Sequence, residues 1–175
     1  DTSCMEQVQD RFTTATPLTE NHIVILVRKG NPHAVSSLAD LARADLQVGL
    51  AHPENSALGA LTKRMLEGAG LWTAVVDNRK LDAATGDFLV NQIRAGSLDA
   101  VVVYRSNAMA NPANLDEHLD IVDVDSPGSV AVQPIATALD AKYPLMMRRF
   151  QDAVLSGASR DRFLPYGFRW IAETQ

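Results

Sequence analysis

The strongest constraint on the fold is an alternation of period. Short runs of β-branched and apolar residues are separated by stretches whose apolar residues recur at helical spacing. Residues 22–27, His-Ile-Val-Ile-Leu-Val, predict a strand that stops at the breaker Gly30-Asn31-Pro32. Residues 46–51 and 98–104 predict two further strands, the second buried on both sides, and 121–124 and 129–133 two more. Between them, Leu58, Leu61, Met65 and Leu66 share one helical face, with Ser56 placed as N-cap and Gly68 or Gly70 as stop. Residues 85–95 read as another helix, with Leu89, Val90 and Ile93 on its apolar face, Thr85 as cap and Asp87 in its first turn. Shorter helices are expected over 3–12, 37–42 and 159–164, and Pro144 opens one that carries Leu145, Met146, Phe150 and Val154. The segment 73–81 stays ambiguous, with a short strand as one reading.

Strand–helix alternation of this kind implies an α/β fold, a mostly parallel sheet covered by helices on both faces. Ligands of such sheets bind at the loops beyond the carboxyl ends of the strands. Three such loops can be named: 52–57, Thr85-Gly86-Asp87, and Tyr104-Arg105-Ser106-Asn107. Two of them open helices, whose first amides lack intrahelical acceptors and whose dipole favours an anion. Tyr104 can add a phenolic donor. The plain alternative at this point is that both helices are ordinary capped helices and Tyr104 is half-buried packing.

Composition narrows the function. A net charge of −5 disfavours nucleic acid, which needs a basic face; the arginines at 148, 149, 160 and 162 read as a solvated helical surface. The longest apolar runs fall far short of the roughly 20 residues that cross a bilayer. Cys4 is the sole cysteine, so neither an intramolecular disulfide nor a cysteine-rich zinc site is possible. The four histidines make no helical pair or HExxH spacing. His52-Pro53-Glu54 has the H-x-E of zinc deaminases without the P-C-x-x-C that must accompany it. No G-x-S-x-G elbow, P-loop or G-x-G-x-x-G is present, and no nucleophile–base pair stands out. The expectation is a binding protein rather than an enzyme, with no cofactor and no metal.

Several segments, in order, resemble the molybdate-binding, ModA-like branch of the type II periplasmic solute-binding proteins of ABC transporters. Residues 24–32, Val-Ile-Leu-Val-Arg-Lys-Gly-Asn-Pro, are similar to that family's hinge strand and K-G-N-P turn, and Ser37-Leu38-Ala39-Asp40-Leu41 to the helix that follows. Residues 48–54 look like its strand and D-P-E turn, with Gly59 and Gly70-Leu71-Trp72 in register behind. Residues 100–108, Ala-Val-Val-Val-Tyr-Arg-Ser-Asn-Ala, resemble its G-I-V-Y-x-S-D-A strand, and Tyr166-Gly167-Phe168 its closing Y-G-F. The resemblance covers nearly the whole chain.

It implies a two-lobed receptor that closes about a hinge on a small oxyanion such as molybdate or tungstate, held by neutral donors. Carried over, the ligand residues are Ser56, Ala57 and Leu58, then Gly86 and Asp87, then the hydroxyl of Tyr104, while Glu54 shapes a turn. The implied lobes are residues 30–125, complete, and 1–29 with 126–175, incomplete, because the family's two opening strand–loop–helix units have no counterpart here. Crossing segments are expected at 27–30 and 126–130. Implied partners are the oxyanion and a membrane permease, with self-association through the incomplete lobe, no nucleic acid and no direct membrane insertion; the implied location is periplasmic or extracytoplasmic. Departures from the pattern are His52 in the D-P-E turn, Leu58 where a small residue is usual, and Cys4 in place of an aromatic. The rival readings are a receptor for a carboxylate, phosphonate or metal complex, with Asp87 suiting a cationic or metal-bearing ligand better than a bare dianion, and the two-lobed effector domain of a transcription regulator.

Overall fold

A computed structural model describes residues 2–173. Along the chain the principal elements are α1 (Thr2–Glu6), β1 (Thr16–Arg28), β2 (Val48–Ala51), α2 (Ala57–Gly68), α3 (Trp72–Asn78), β3 (Arg79–Ala83), α4 (Gly86–Arg94), β4 (Ala100–Tyr104), α5 (Arg105–Met109), β5 (Leu119–Asp123), β6 (Val130–Ile135), α6 (Pro144–Val154), α7 (Gly157–Phe163) and β7 (Arg169–Trp170). The chain forms two compact units: one runs from His22 to Val130, and the other joins the residues up to Asn21 with those from Ala131 onward. The divisions fall inside β1 and at the start of β6.

In the larger unit the strand order is β3-β2-β4-β1-β5. β2 pairs in parallel with both β3 and β4, the arrangement expected of strands joined by helical crossovers. Only β1 runs against the expected, mostly parallel sheet. β1 runs antiparallel to β4, matching Ile23 with Tyr104 and Val27 with Ala100, and β5 runs antiparallel to β1. β5, reached from β4 through α5, therefore runs in the same direction as β2, β3 and β4, with β1 reversed between β4 and β5.

The core sits where the sequence concentrates β-branched residues. Ile23, Val24, Ile25, Leu26 and Val27 of β1 and the first four residues of β4 are buried, as are Leu58, Leu61, Met65 and Leu66 of α2 and Leu89, Val90 and Ile93 of α4, helices that pack on β2 and β4. At about 25 cal/mol per Å² of apolar surface removed from water, this cluster is the main source of the unit's stability.

The ambiguous stretch at 73–81 resolves into the helix α3 and then the strand β3. Val75 packs inward from the helix, and Asn78 closes it by donating to the carbonyls of Leu41 and Arg43. β3 is polar because it is an edge strand, and edges tolerate charge. The short helix near Ser37 is a 3-10 turn, Leu38–Ala42, in which Asp40 reaches back to accept from the amides of Ser36 and Ser37 at 2.9 Å each. The expected helix at 3–12 divides into α1 and a 3-10 turn at Gln9–Arg11.

The smaller unit has a thin core. β7 pairs with the first half of β1, matching Thr19 with Trp170, and Phe163 packs edge-on against Phe168 with centroids 5.3 Å apart. α6 has no buried residue, and Leu145, Met146 and Phe150 on it are exposed.

Candidate oxyanion site

Parallel pairing of β3, β2 and β4 brings their carboxyl ends to one edge of the larger unit. The loop after β2 leads into α2, the loop after β3 leads into α4, and Tyr104 is the last residue of β4. The loops at 52–57, 84–86 and 104–107 are therefore neighbours, and their contacts join them. The His52 amide donates to the Ala83 carbonyl at 2.8 Å, fastening the β2 loop to the end of β3. Asn107 Nδ2 donates to Asp87 Oδ1 at 2.8 Å, fastening α5 to the start of α4.

The two helix starts are prepared differently. Ser56 takes the extended backbone of an N-cap, but its side chain makes no cap hydrogen bond. The first-turn amides of α2, including those of Ala57 and Leu58, thus have no acceptor from the cap. At α4 the Thr85 hydroxyl accepts from the Phe88 amide at 3.2 Å, the cap role expected for it, and the amides of Gly86 and Asp87 precede that bond. Ala57 and Asp87 are exposed, Ser56 and Tyr104 are half-buried, and Leu58 and Gly86 are buried. All six residues singled out from sequence lie at this edge. Chemically, such an edge can donate several backbone hydrogen bonds to one anion and adds a helix dipole from each of two directions.

Sequence reasoning missed what two residues do at the site. Asn107 is the partner of Asp87, and Gly59 lets α2 approach the end of β2, because a Cβ there would meet the backbone of His52 and Ala51. Among the described residues no group of three His, Cys, Asp or Glu side chains could hold a metal ion, and no helix is long and apolar enough to cross a membrane. Cys4 is exposed.

This is the fold of a type II periplasmic binding protein. The family model for bacterial extracellular solute-binding proteins matches residues 2–169, and the chain belongs to that family. It is similar to the molybdate-binding proteins ModA of Mycobacterium tuberculosis and Mycobacterium bovis, each 28% identical over 163 residues, which is 91% of this chain and 59% of theirs. The chain thus spans somewhat over half the length of these curated relatives. Among solved structures, the substrate-binding domain of a putative molybdenum ABC transporter from Clostridium difficile superposes with a TM-score of 0.73 at 16% identity, covering 97% of this chain and 72% of that one. The sulfate-binding protein SubI of Mycobacterium tuberculosis gives 0.68 at 18% identity, over 89% of this chain and 58% of that one. The relatives are named as binding proteins, not enzymes.

Proposed function

We propose that this chain carries the ligand-binding part of an extracytoplasmic receptor that captures a small tetrahedral oxyanion of the molybdate or tungstate type and delivers it to an ABC permease. The observation that supports this most is the meeting of the α2 and α4 starts with Tyr104 at one sheet edge, with the α2 start left uncapped. Backbone amides suit a fully ionised anion because they donate without adding charge that would need its own counter-ion. Ala57, Leu58, Gly86 and Asp87 supply these amides and Tyr104 a hydroxyl. No bond is made or broken. The chain crosses between its units at 21–22 and 130–131, and a closing motion on the ligand would turn there. The ModA relatives favour molybdate over sulfate as the first ligand to test.

A second reading draws on Asp87. Its carboxylate stands at the start of α4, where it disfavours a bare dianion and favours a monoanion or a ligand that carries a cation.

The test is a titration of the intact native protein with molybdate, tungstate, sulfate and phosphate, followed by tryptophan fluorescence and melting temperature. Saturable binding of one of them with a rise in melting temperature is expected. No response to all four, beside a response to a carboxylate or a cationic ligand, would replace the oxyanion by the second reading.

A further inference from the structure

We propose that Asn107 is the positioning residue of the binding edge, a clamp that fixes the start of α4 to the end of β4 so that both donor sets meet the ligand as one rigid group. The proposal rests on reading this edge as the oxyanion site. Three of the six candidate ligand residues touch the Asn107 carboxamide. Its Oδ1 accepts from the Tyr104 amide at 3.3 Å, and its Nδ2 donates to Asp87 Oδ1 at 2.8 Å. Its remaining face lies over Gly86, so closely that a Cβ on that glycine would come within 2.5 Å of Oδ1 and 2.8 Å of Cγ.

The chemistry leaves the side chain one orientation. A backbone N–H can only donate and a carboxylate can only accept, so the carboxamide must turn its oxygen to Tyr104 and its nitrogen to Asp87. A flip would place two donors together and two acceptors together. Glycine at position 86 is what makes room for this contact, since any larger residue would drive the carboxamide away from both partners. The clamp also holds the Asp87 carboxylate toward Asn107, where one of its oxygens is occupied, and so limits its repulsion of an incoming anion.

The experiment uses the intact native protein and molybdate as probe. Asn107→Ala removes both bonds, and Asn107→Asp keeps the acceptor for Tyr104 but sets two carboxylates face to face. In the double variant Asp87→Asn with Asn107→Asp the roles are exchanged: the carboxylate now at position 107 accepts from both neighbours, and the net charge equals that of the wild type. Each single Asn107 variant is expected to weaken molybdate binding about ten-fold, the size of a lost hydrogen bond to a charged group. The double variant is expected to return to within about two-fold of wild type and to recover the melting temperature lost by Asn107→Asp. A residue with a merely structural role would lower the melting temperature and leave the affinity of the folded protein unchanged, so the affinity is the readout that separates the two. Wild-type affinity in Asn107→Ala, or no recovery in the double variant, would overturn the clamp. If the wild-type protein binds no molybdate, the oxyanion reading fails first and the clamp falls with it, an outcome the wild-type titration alone distinguishes.

Discussion

Gly59, in the first turn of α2, lies with its backbone against the carbonyl group of His52: a Cβ on it would stand 2.5 Å from the His52 carbonyl carbon and 2.6 Å from the Ala51 oxygen. Those atoms are main chain at the end of β2 and cannot swing aside. The glycine therefore sets how closely α2, with its amides, seats on the binding edge. Gly59→Ala removes the intrinsic helix penalty of glycine, about 1 kcal/mol, yet it is expected to destabilise the protein by about 2–3 kcal/mol because the helix must lift off the strand. Urea denaturation measures this. Wild-type or greater stability would show that the contact relaxes freely.

A second prediction concerns the opposite, amino-terminal edge of the same sheet. Asp99, 13% exposed, gathers Arg28 Nη2 at 2.6 Å, His33 Nε2 at 3.2 Å and the Gln47 amide at 2.9 Å. It ties the end of β1 and the approach to β2 to the start of β4. Asp99→Asn keeps the shape but loses the charge, at an expected cost of about 1–2 kcal/mol given partial solvent access. Because this edge lies at the other end of the strands from Tyr104, oxyanion affinity should stay unchanged. A melting curve paired with a titration separates the two effects.

The turns flanking this edge respond to acid. Hydrogen bonds from Ser36 above all, with Ser37 adding, hold the Asp40 carboxyl below its ordinary range, and Lys29 followed by the Gly30 amide does the same for Asp120. A carboxyl lowered in the folded state binds protons more readily when unfolded. Each group's contribution is thus complete above the ordinary value of 3.8 and disappears as the pH falls through the lower folded value. Asp40→Asn should lose a small increment of stability at neutral pH, under about 1 kcal/mol for so exposed a group, and show a shallower acid decline. Equal slopes for variant and wild type below about pH 4 would contradict the assignment.

A fourth prediction follows from the smaller unit. Leu145 is 76% and Phe150 60% exposed on α6, beside Met146 at 59%. Clustered apolar groups of this kind favour association. Changing Leu145 and Phe150 together to Glu should leave the melting temperature of this chain within a degree or two, since little buried surface is lost, and should reduce any concentration-dependent oligomer seen by sedimentation. A large fall in melting temperature would mean that α6 is packed more firmly than its exposure indicates.

Much of this architecture is legible in the sequence because local and global signals agree. β4 and the second half of β1 are continuous apolar runs that end up buried, while the helices α2 and α4 begin at the residues their caps and glycines mark. Legibility fails where structure depends on distant partners. The first half of β1, Thr-Pro-Leu-Thr-Glu-Asn, lies outside the strand predicted over 22–27 and becomes strand through β7 and a hydrogen bond from Thr19 to Gln133 at 2.8 Å. Thr73-Ala74-Val75-Val76 carries a β-branched pattern that the packing of Val75 overrides into helix. At the site, loop order along the chain pointed to the segments 52–57, 85–87 and 104–107, and the family resemblance nominated Ala57, Gly86 and Tyr104 within them. Asn107 was invisible as a partner, because its bond to Asp87 spans 20 residues and follows no helical or strand period.

The most direct test of the binding edge is a titration of nitrogen-15-labelled native protein with molybdate, read as backbone amide shifts. Four amides, those of Ala57, Leu58, Gly86 and Asp87, should move together along one saturation curve, and Tyr104→Phe should weaken that curve without changing which amides move. Saturable shifts confined to residues away from the carboxyl ends of β2, β3 and β4, with these four amides still, would contradict an oxyanion held at this edge.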